Sequence, residues 1–564
     1  MRWNFKPLPD YQRIEQLSCA INVNPYLSAV LLQRGVDSAE AAKNFFRPSL
    51  EALHDPFLMQ DMDRAVERLH RAIEQREKIL IYGDYDVDGT TAASMAYLYL
   101  SEFHPHCEIY IPDRHREGYG ISEAGIQYAD ENGFSLIIAL DCGIKASDKV
   151  AKANLRGIDF IICDHHLPDN NIPHAVAVLD PKRPDCNYPY KELSGCGLGF
   201  KLLQAYARRY RNEEEVFRYL DLVAVSTASD IVPITGENRI LAYHGIHKLN
   251  QDPLPGLSAL MEISGVQGKA DVRSIVFALG PRINAAGRVA HASAAIDLLT
   301  ARTLEEAREK VFPLNDNNAE RRNYDMSITE EARAMIEQDE KLCQALSTVL
   351  FKPTWHKGVV GIVAARCIEH YYRPTIILTE SDGKITGSAR SIRGFDIYEA
   401  LVQCSDLLEK FGGHRYAAGL TLLPENLEAF IQRFEEVVAR STTPDMFIPV
   451  LDIDVPLPLE VISPAFVNVL NQMAPFGPEN QQPVFVARKV QVAHSLTLYR
   501  DKHLRLGVRQ QNSDRIMQAV AFNQGGHYNR LAQGDTFSMA FTVEENNYNG
   551  NSTVQLRIKD IKFE

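Results

Sequence analysis

From residue 78 onward, short runs of apolar β-formers alternate with stretches of helical periodicity. The alternation predicts strands near 78–82, 107–112, 135–140, 158–163 and 175–179, with helices such as 92–102 and 121–132 between them. Repeated βα units imply a parallel sheet covered by helices on both faces. Ahead of this region, residues 1–70 carry helical periodicity, as in Tyr26–Leu32 and Asp63–Gln75, and little visible chemistry. Phe217–Ser229 is apolar with too little interruption for a surface helix, whereas Glu305–Glu340 is long, polar and dense in Arg and Glu. The second of these reads as a connecting helix with a solvated face.

Beyond the connecting helix a second α/β unit is predicted: TVLFKP (strand), His356–His370 (helix), TIILTE and KITGSAR (strands), Asp396–Glu409 (helix), then FGGHRYAAGLTL. From about residue 443 the Pro-rich connectors PLPLEVISP and PFGPENQQP precede five strand-like runs, FVARKVQVA, HLRLGV, MQAVAF, TFSMAFTVEE and VQLRIK. Five short strands without long helices fit a small OB-type β-barrel, with an SH3-like barrel or a sandwich lid as the alternatives. The expected organisation is therefore a helical leader (1–70), a parallel-sheet α/β domain (71–300), a connecting helix (301–345), a second α/β domain (346–442), and a linker with a barrel (443–564).

A chain of 564 residues, 45 % hydrophobic and 24 % charged, has the composition of ordinary soluble globular domains and the length for three or four of them. No apolar run reaches the length of a membrane span, and Met1–Asp10 lacks the apolar core of a signal peptide, so a cytoplasmic protein is expected. Nine cysteines without a C-x-x-C pair suggest neither a disulfide framework nor a zinc ribbon. Cys142 and Cys163 read as small buried residues. A net charge of −13 argues against coating nucleic acid by bulk electrostatics, but leaves room for a local basic groove.

The chemistry lies where the strands end. KILIYGDYDVDGTT (Lys78–Thr91) reads as strand, acidic loop and helix, and places Asp84, Asp86 and Asp88 at alternate positions. D-x-D-x-D-G also opens an EF-hand loop, but the twelfth position here is Met95 and a strand precedes the motif, so that reading fails. LIIAL runs into Asp141-Cys142-Gly143, FIIC into Asp164-His165-His166, and VAVL into Asp180-Pro181, while Asp230 ends the apolar Phe217–Ser229 segment. In an open parallel sheet these ends face one crevice.

Mutually repelling carboxylates with imidazoles and no Cys suit Mn²⁺, or Mg²⁺, better than structural zinc. Two such ions, about 3.5–4 Å apart in known sites, clamp the attacking and leaving oxygens of a phosphoryl displacement and activate water. Asp141 is the candidate bridging carboxylate, because its strand is expected between the other two. No P-loop is present. GPRINAAGR (Gly280–Arg288) reads as a turn carrying two arginines, followed by a helix. In the second α/β unit the expected loops present His356, Ser388, Arg390, Arg393 and Gly412-Gly413-His414-Arg415, and glycines beside basic and hydroxyl groups suit close approach to phosphate.

Tyr82–Gly89, Asp141–Gly143, Asp164–His166 and Ser229–Asp230 resemble the four motifs of the DHH phosphoesterases, and Phe411–Ala418 resembles the Gly-Gly-His motif of their associated DHHA1 domain. LHDPFLMQDMDRAVER, GPRINAAGR and PFGPENQQPVF further resemble those members of the family that digest single-stranded DNA from the 5′ end. The resemblance implies an α/β protein: a parallel-sheet DHH domain joined by a long helix to a DHHA1-type domain, plus an OB barrel. It implies Asp86, Asp88, Asp141, His165 and Asp230 as metal ligands, His166 facing the scissile phosphate, Asp164 orienting a histidine, Asp84 behind the ligands, and Arg282 stabilising the phosphate being cut. Some relatives carry a histidine where Tyr82 stands here.

Ser388, Arg390 and Arg114 would recognise a terminal 5′-phosphate, and Tyr119 would sit at the entrance. Strand selectivity would follow from a cleft between the two α/β domains too narrow for a duplex, and His503 and Arg505 are candidates for strand contacts on the barrel. The expected activity is a metal-dependent exonuclease acting in DNA repair and recombination, releasing mononucleotides from a single strand. Its expected partners are a RecQ-type helicase and a single-strand-binding protein, and a monomer is expected. A DHH phosphodiesterase of short oligonucleotides or cyclic dinucleotides is the alternative, disfavoured by a barrel that a dinucleotide would leave idle. A catalytically dead scaffold is disfavoured because every ligand position is filled.

Overall fold

The alternating segments between residues 79 and 179 form a fully parallel five-stranded sheet in this computed structural model, which describes residues 1–114, 116–266, 268–548 and 551–563. Its strands are β1 (Ile79–Gly83), β2 (Cys107–Tyr110), β3 (Leu136–Leu140), β4 (Asp159–Cys163) and β5 (Ala177–Leu179), in spatial order β2-β1-β3-β4-β5. β1, β3 and β5 are buried along their whole length, which is why they read as unbroken apolar runs rather than alternating ones. The chain moves to one side from β1 to β2 and to the other from β1 to β3. The order therefore reverses at that point, and a crevice opens at the carboxyl ends of β1 and β3.

Helices α1 (Val87–Leu100), α2 (Gly195–Tyr210), α3 (Leu220–Ser229) and α4 (Gly236–Gln251) pack beside this sheet or on one another. α3 is buried from Leu220 to Ala228, as its continuous apolarity required. GPRINAAGR departs from expectation: it is itself helix α5 (Gly280–Val289), entered directly from a π-helical turn, Ile275–Leu279. The widened turn accommodates Pro281, which lacks an N–H, so Gly-Pro here does not break the helix. The connecting helix α6 runs from Leu304 to Gln338.

The chain forms two compact units, one of Trp3–Gly280, Ile296–Ala307 and Leu451–Glu564, the other of Met1–Arg2, Pro281–Ala295 and Arg308–Val450. The second unit contains a mixed sheet of β6 (Thr348–Phe351), β7 (Thr375–Ser381), β8 (Lys384–Arg390), β9 (Lys410–His414) and β10 (Ala417–Leu422), in order β9-β10-β8-β7-β6. Helix α7 (Val360–Tyr371) packs on β7 and β8. The helix expected over Asp396–Glu409 stops at Val402, and Ser405–Leu407 form a separate 3₁₀ turn.

In the first unit the C-terminal strands close a five-stranded barrel: β11 (Phe485–Tyr499), β12 (His503–Gln510), β13 (Ile516–Ala521), β14 (Phe537–Tyr548) and β15 (Asn551–Phe563), ordered β11-β12-β13-β15-β14 with β14 returning to β11. This is the OB-type arrangement. The leader does not stand apart, because Leu27, Val30 and Leu31 share one apolar core with Phe466, Phe485 and Phe541. Arg2–Phe5 is a strand rather than part of a helix. Its period of two turns Trp3 toward the barrel, where the indole N–H donates to Asp560 at 2.7 Å. Among the described residues no helix is long and apolar enough to cross a membrane.

A buried ion pair ties the leader to the sheet. The Lys201 ammonium on α2 lies 2.9 Å from Glu237 on α4, both side chains at most 1 % exposed, and it also donates to the His54 carbonyl at 2.8 Å. Glu237 accepts further bonds from the Tyr188 hydroxyl at 2.6 Å and the His54 N–H at 2.9 Å. Lys201→Met should destabilise the protein by about 3–5 kcal/mol in urea unfolding, because it leaves a buried carboxylate without its cation. A loss below about 1 kcal/mol would show that the pair contributes nothing net.

Candidate active site

The crevice at the ends of β1 and β3 collects the acidic motifs. Asp84 is buried immediately after Gly83. Asp86 caps α1, its carboxylate accepting from the Gly89 N–H at 3.1 Å. Asp88, in the first turn of α1, is held by three donors: the N–H groups of Gly195 and Cys196, each at 2.7 Å, and the Ser226 hydroxyl at 2.6 Å. It thus sits at the amino end of α2, where an anion is favoured. Asp141 leaves β3 with φ of 62°. Gly195 lies against it so closely that a Cβ there would stand 2.5 Å from the Asp141 Cβ.

β4 delivers the next three side chains. Asp164 accepts from the Ile144 N–H at 2.9 Å and pairs with His166 Nδ1 at 2.7 Å. His165 Nε2 lies 3.2 Å from Asp141, 3.5 Å from Asp230 and 3.8 Å from Asp88. Asp230 arrives from the end of α3, where its N–H donates to the Ser226 carbonyl at 2.9 Å. Ligand atoms of Asp88, His165 and Asp230, of Asp84, Asp86 and Asp141, and of Asp141, His165 and His166 each fall within 4.8 Å of one another. Asp141 joins the second group to the third.

The electrostatics of the cluster are those of a cage that needs a cation. Burial pushes the carboxyls of Asp84, Asp86, Asp141 and Asp230 above their ordinary range, and their acidic neighbours push further in the same direction. For Asp164, burial acts the same way but is outweighed by the hydrogen bond and charge of His166, which hold its pKa at about 2. Burial lowers the His166 pKa, but Asp164 outweighs it and the net shift is upward; His165 is shifted down, burial being the largest cause. Among the described residues, Asp84 Oδ1 and His165 Nδ1 are buried without a hydrogen-bond partner, and Asp141 Oδ1 has only the 3.2 Å approach of His165 Nε2, which does not meet hydrogen-bond geometry. Oxygen-rich donors with an imidazole and unsatisfied lone pairs fit a hard divalent cation of the Mn²⁺ or Mg²⁺ kind.

Two of the expected substrate residues lie beside the cage. The Arg114 guanidinium is 4.8 Å from the Tyr85 ring and draws down the Asp84 pKa by its charge. The Tyr119 hydroxyl donates to the Asp141 carbonyl at 3.3 Å and lies 3.2 Å from His166 Nε2. Tyr82 is buried; its hydroxyl donates to the Gly120 carbonyl at 3.0 Å and accepts from the Ser122 N–H at 3.1 Å. It therefore secures the Gly118-Tyr119-Gly120 loop. On the barrel, His503 accepts from the Asn523 N–H at 3.0 Å and its ring meets Phe522 edge-on, while Arg505 lies opposite Val520 in the sheet.

The remaining candidates belong to the other unit. Arg390 donates to the Ser388 hydroxyl at 2.8 Å, and Gly361 in the first turn of α7 lies so near that a Cβ there would be 2.9 Å from either side chain. His356 stacks on Tyr324 with ring centroids 4.8 Å apart, and its Nδ1 accepts from the Gly358 N–H at 3.1 Å. Gly412, Gly413 and His414 are on strand β9, not in a loop, opposite Gly419, Ala418 and Ala417. A side chain on Gly413 would collide with the backbone of β10, so that glycine marks a tight strand approach, whereas a side chain on Gly412 would meet open space. Register continues from Gly419 to Ser388 and from Ala417 to Arg390, aligning the Gly-Gly-His and Ser-x-Arg motifs across three strands. Arg282 donates to Asn315 at 3.3 Å.

Ser194, Gly195, Cys196 and Ser226, which secure Asp88 and crowd Asp141, were not singled out by the sequence. Their only signals are the small-residue run Ser194-Gly195-Cys196-Gly197 at a helix start and the hydroxyls of Ser226, Thr227 and Ser229 in an otherwise apolar one.

The sheet, its switch-point cluster and the strand-end motifs define a DHH-type phosphoesterase: residues 78–227 match the DHH family, N-terminal domain, residues 342–440 the DHHA1 domain, and residues 453–560 the RecJ OB domain. The chain is 37 % identical to the single-stranded-DNA-specific exonuclease RecJ of Bacillus subtilis (strain 168), over 99 % of this chain and 70 % of that one. It is 32 % identical to RecJ of Salmonella typhimurium, over 95 % of this chain and 96 % of that one. The crystal structure of RecJ in complex with Mn²⁺ from Thermus thermophilus superposes with a TM-score of 0.84 at 27 % identity, covering 100 % of this chain and 79 % of that one. The chain belongs to the RecJ family of the DHH proteins.

A cation that binds only the folded cage, with its carboxylates ionised, couples to pH. Because the folded-state pKa values of Asp84, Asp86, Asp141 and Asp230 are raised, the cation-free protein loses stability as pH rises from the ordinary carboxylate range through those values. Mn²⁺ offsets this loss and displaces protons as it binds. The increase in Tm on adding saturating Mn²⁺, read by differential scanning fluorimetry, should be larger at about pH 8 than at about pH 6. An equal or smaller increase at the higher pH counts against the cage.

Proposed function

We propose that this chain is a divalent-metal-dependent exonuclease that digests single-stranded DNA from its 5′ end to mononucleotides. The observation that carries the reading is the largely buried cluster of Asp84, Asp86, Asp88, Asp141, His165 and Asp230 at the switch point of the sheet, in a chain that also carries the DHHA1 and RecJ OB domains. RecJ of Thermus thermophilus has been crystallised in complex with Mn²⁺ and with Mg²⁺. In this chain Asp86, Asp88, Asp141, His165 and Asp230 would hold two Mn²⁺ ions, Asp141 shared between them, with Mg²⁺ as a substitute. When bound, the cations supply Lewis-acid neutralisation of the phosphate and water of lowered pKa.

The residues of the chain do the positioning. Asp164 fixes the His166 ring through Nδ1 and leaves Nε2 facing the phosphate, and Tyr119 contacts that ring from the Gly118–Gly120 loop. Asp84 adds negative charge behind the ligands. Arg282 stabilises the phosphate being cut. Ser388 and Arg390, already hydrogen-bonded to each other, bind the terminal 5′-phosphate with His356 and the Gly412-Gly413-His414 strand, and Arg114, beside the cage, is assigned a phosphate contact of its own. Charge-assisted bonds from Arg390 give the 5′ end its preference. The barrel holds the strand beyond the cut. We assign the domains as a leader (1–70), a DHH domain (71–300), a connecting helix (301–345), a DHHA1-type domain (346–442), and a linker with the OB barrel (443–564). The setting is cytoplasmic DNA repair and recombination, with a RecQ-type helicase and a single-strand-binding protein as partners and a monomer as the working form.

Asp141→Asn should lower the rate of single-strand digestion in Mn²⁺ by more than about a thousandfold, the scale of several kcal/mol of lost charge stabilisation. Strand binding measured by fluorescence anisotropy should change by less than about threefold, within about 0.7 kcal/mol; equal loss of both makes Asp141 structural. Arg390→Ala should cut the ratio of rates on 5′-phosphorylated and 5′-hydroxyl strands by about tenfold or more. An unchanged ratio removes Arg390 from the end-binding site.

A further inference from the structure

Two bulky apolar side chains stand in solvent beside the acidic cluster, and the proposed reaction so far uses neither. Ile231 follows Asp230 and is 65 % exposed; Leu167 follows His166 and is 59 % exposed. Ile231 also has φ of 61°, in the left-handed region, where a β-branched residue is a true outlier and glycine or asparagine would fit at lower cost.

That conformation is imposed from both sides. Before it, the Asp230 N–H closes α3 on the Ser226 carbonyl at 2.9 Å. After it, the Pro233 carbonyl accepts from Asn238 at 3.0 Å and from the Tyr190 hydroxyl at 3.3 Å, and the Ile234 N–H donates to the Pro478 carbonyl at 2.8 Å. Val232 and Ile234 point inward and are buried, which leaves Ile231 pointing out. Backbone strain of this kind persists only where the surroundings over-determine it, and it concentrates at functional sites.

We infer that Ile231, together with Leu167, forms an apolar edge against which the nucleobase next to the phosphodiester being cut is packed. The inference rests on the reading of the cluster as a phosphodiester-cutting centre. The carboxylates, His165 and His166 are committed to cations and the phosphate, which leaves the face of a base to other side chains. An aliphatic edge makes van der Waals contact with any of the four bases, so it fixes the nucleotide without reading its identity, as digestion of arbitrary sequence requires. Only an unpaired, unstacked base presents its face in this way. The edge thereby adds a local selection for single strands.

The test uses the full chain with Mn²⁺ in single-turnover cleavage of 5′-phosphorylated oligodeoxynucleotides, either intact or abasic at one of the first two positions. The wild type should cut the abasic strand about five- to tenfold more slowly, the scale of burying one aliphatic side chain against a base. Ile231→Gly should bring that ratio close to one and raise Tm through relief of the left-handed strain. Ile231→Ala keeps the backbone demand and should lower the ratio as well, so it carries the comparison if the glycine variant loosens the segment. A wild-type ratio near one, or variants with the wild-type ratio, overturns the assignment. A wild type that leaves intact strands uncut overturns instead the nuclease reading, which the intact-strand control reports separately.

Discussion

Several carboxylates that repel one another are buried within a few ångströms, and the rest of the first unit is arranged around keeping them there. Burying an unpaired carboxylate is expensive, and burying several multiplies the expense, so the fold fixes each one locally, Asp86 and Asp88 through donors to their carboxylates and Asp141 and Asp230 through their backbones. Asp86 is fixed as a helix cap, Asp88 by the first turn of α2, Asp141 by a left-handed exit from β3 with Gly195 against it, and Asp230 by the last turn of α3. No one of these devices suffices. Together they place the acids where the topological switch of the sheet opens a crevice, which is the location parallel sheets offer to ligands.

The second unit solves a different electrostatic problem. Its candidate residues are cationic, hydroxylic or glycine, and the sheet register rather than sequence proximity assembles them: Gly412 to Gly419 to Ser388, and His414 to Ala417 to Arg390. Backbone surface without side chains, flanked by a guanidinium and the amino end of α7, is suited to an anion at close range. The overall charge of −13 is thus compatible with a nucleic-acid substrate, because the anionic cluster suits cations and the proposed phosphate contacts are local.

Much of this was legible because strand ends are local. The runs Ile79–Tyr82, Leu136–Leu140 and Asp159–Cys163 are apolar almost throughout, end abruptly in turn residues and Asp, and alternate with helices, which suffices to infer a parallel sheet with acids at one edge. What could not be read depended on partners distant in sequence. Nothing near Ser226 announces that its hydroxyl bonds Asp88, 138 residues away. GPRINAAGR looks like a turn because Gly-Pro usually is one; the compensating π turn before it carries no composition of its own. Gly412-Gly413 looks like a loop because glycine is commonest there, and only the opposing strand β10 shows that Gly413 marks close backbone approach. Arg2–Phe5 is too short for its period to be distinguished from the helical pattern that follows.

The Pro-rich stretch PFGPENQQP, read from sequence as a connector, proves to be fastened to the segment that follows Asp230. Arg239 on α4 donates to the carbonyls of Met473 at 3.0 Å and Ala474 at 2.9 Å, Arg34 of the leader bonds Asn480 and the Gln481 carbonyl, and the Pro478 carbonyl receives the Ile234 N–H. A Cβ on Gly477 would stand 2.5 Å from Ile234 Cγ1, so the Ile234 side chain packs directly on the Gly477 backbone. Ile234 is four residues from Asp230, and the chain between them contains the strained Ile231. The leader, the barrel linker and the end of α3 therefore form one hydrogen-bonded assembly behind a proposed metal ligand. On this geometry the barrel is joined to the cage through the backbone that positions Asp230, and a change in the linker reaches the metal site through packed and hydrogen-bonded contacts rather than through a flexible tether.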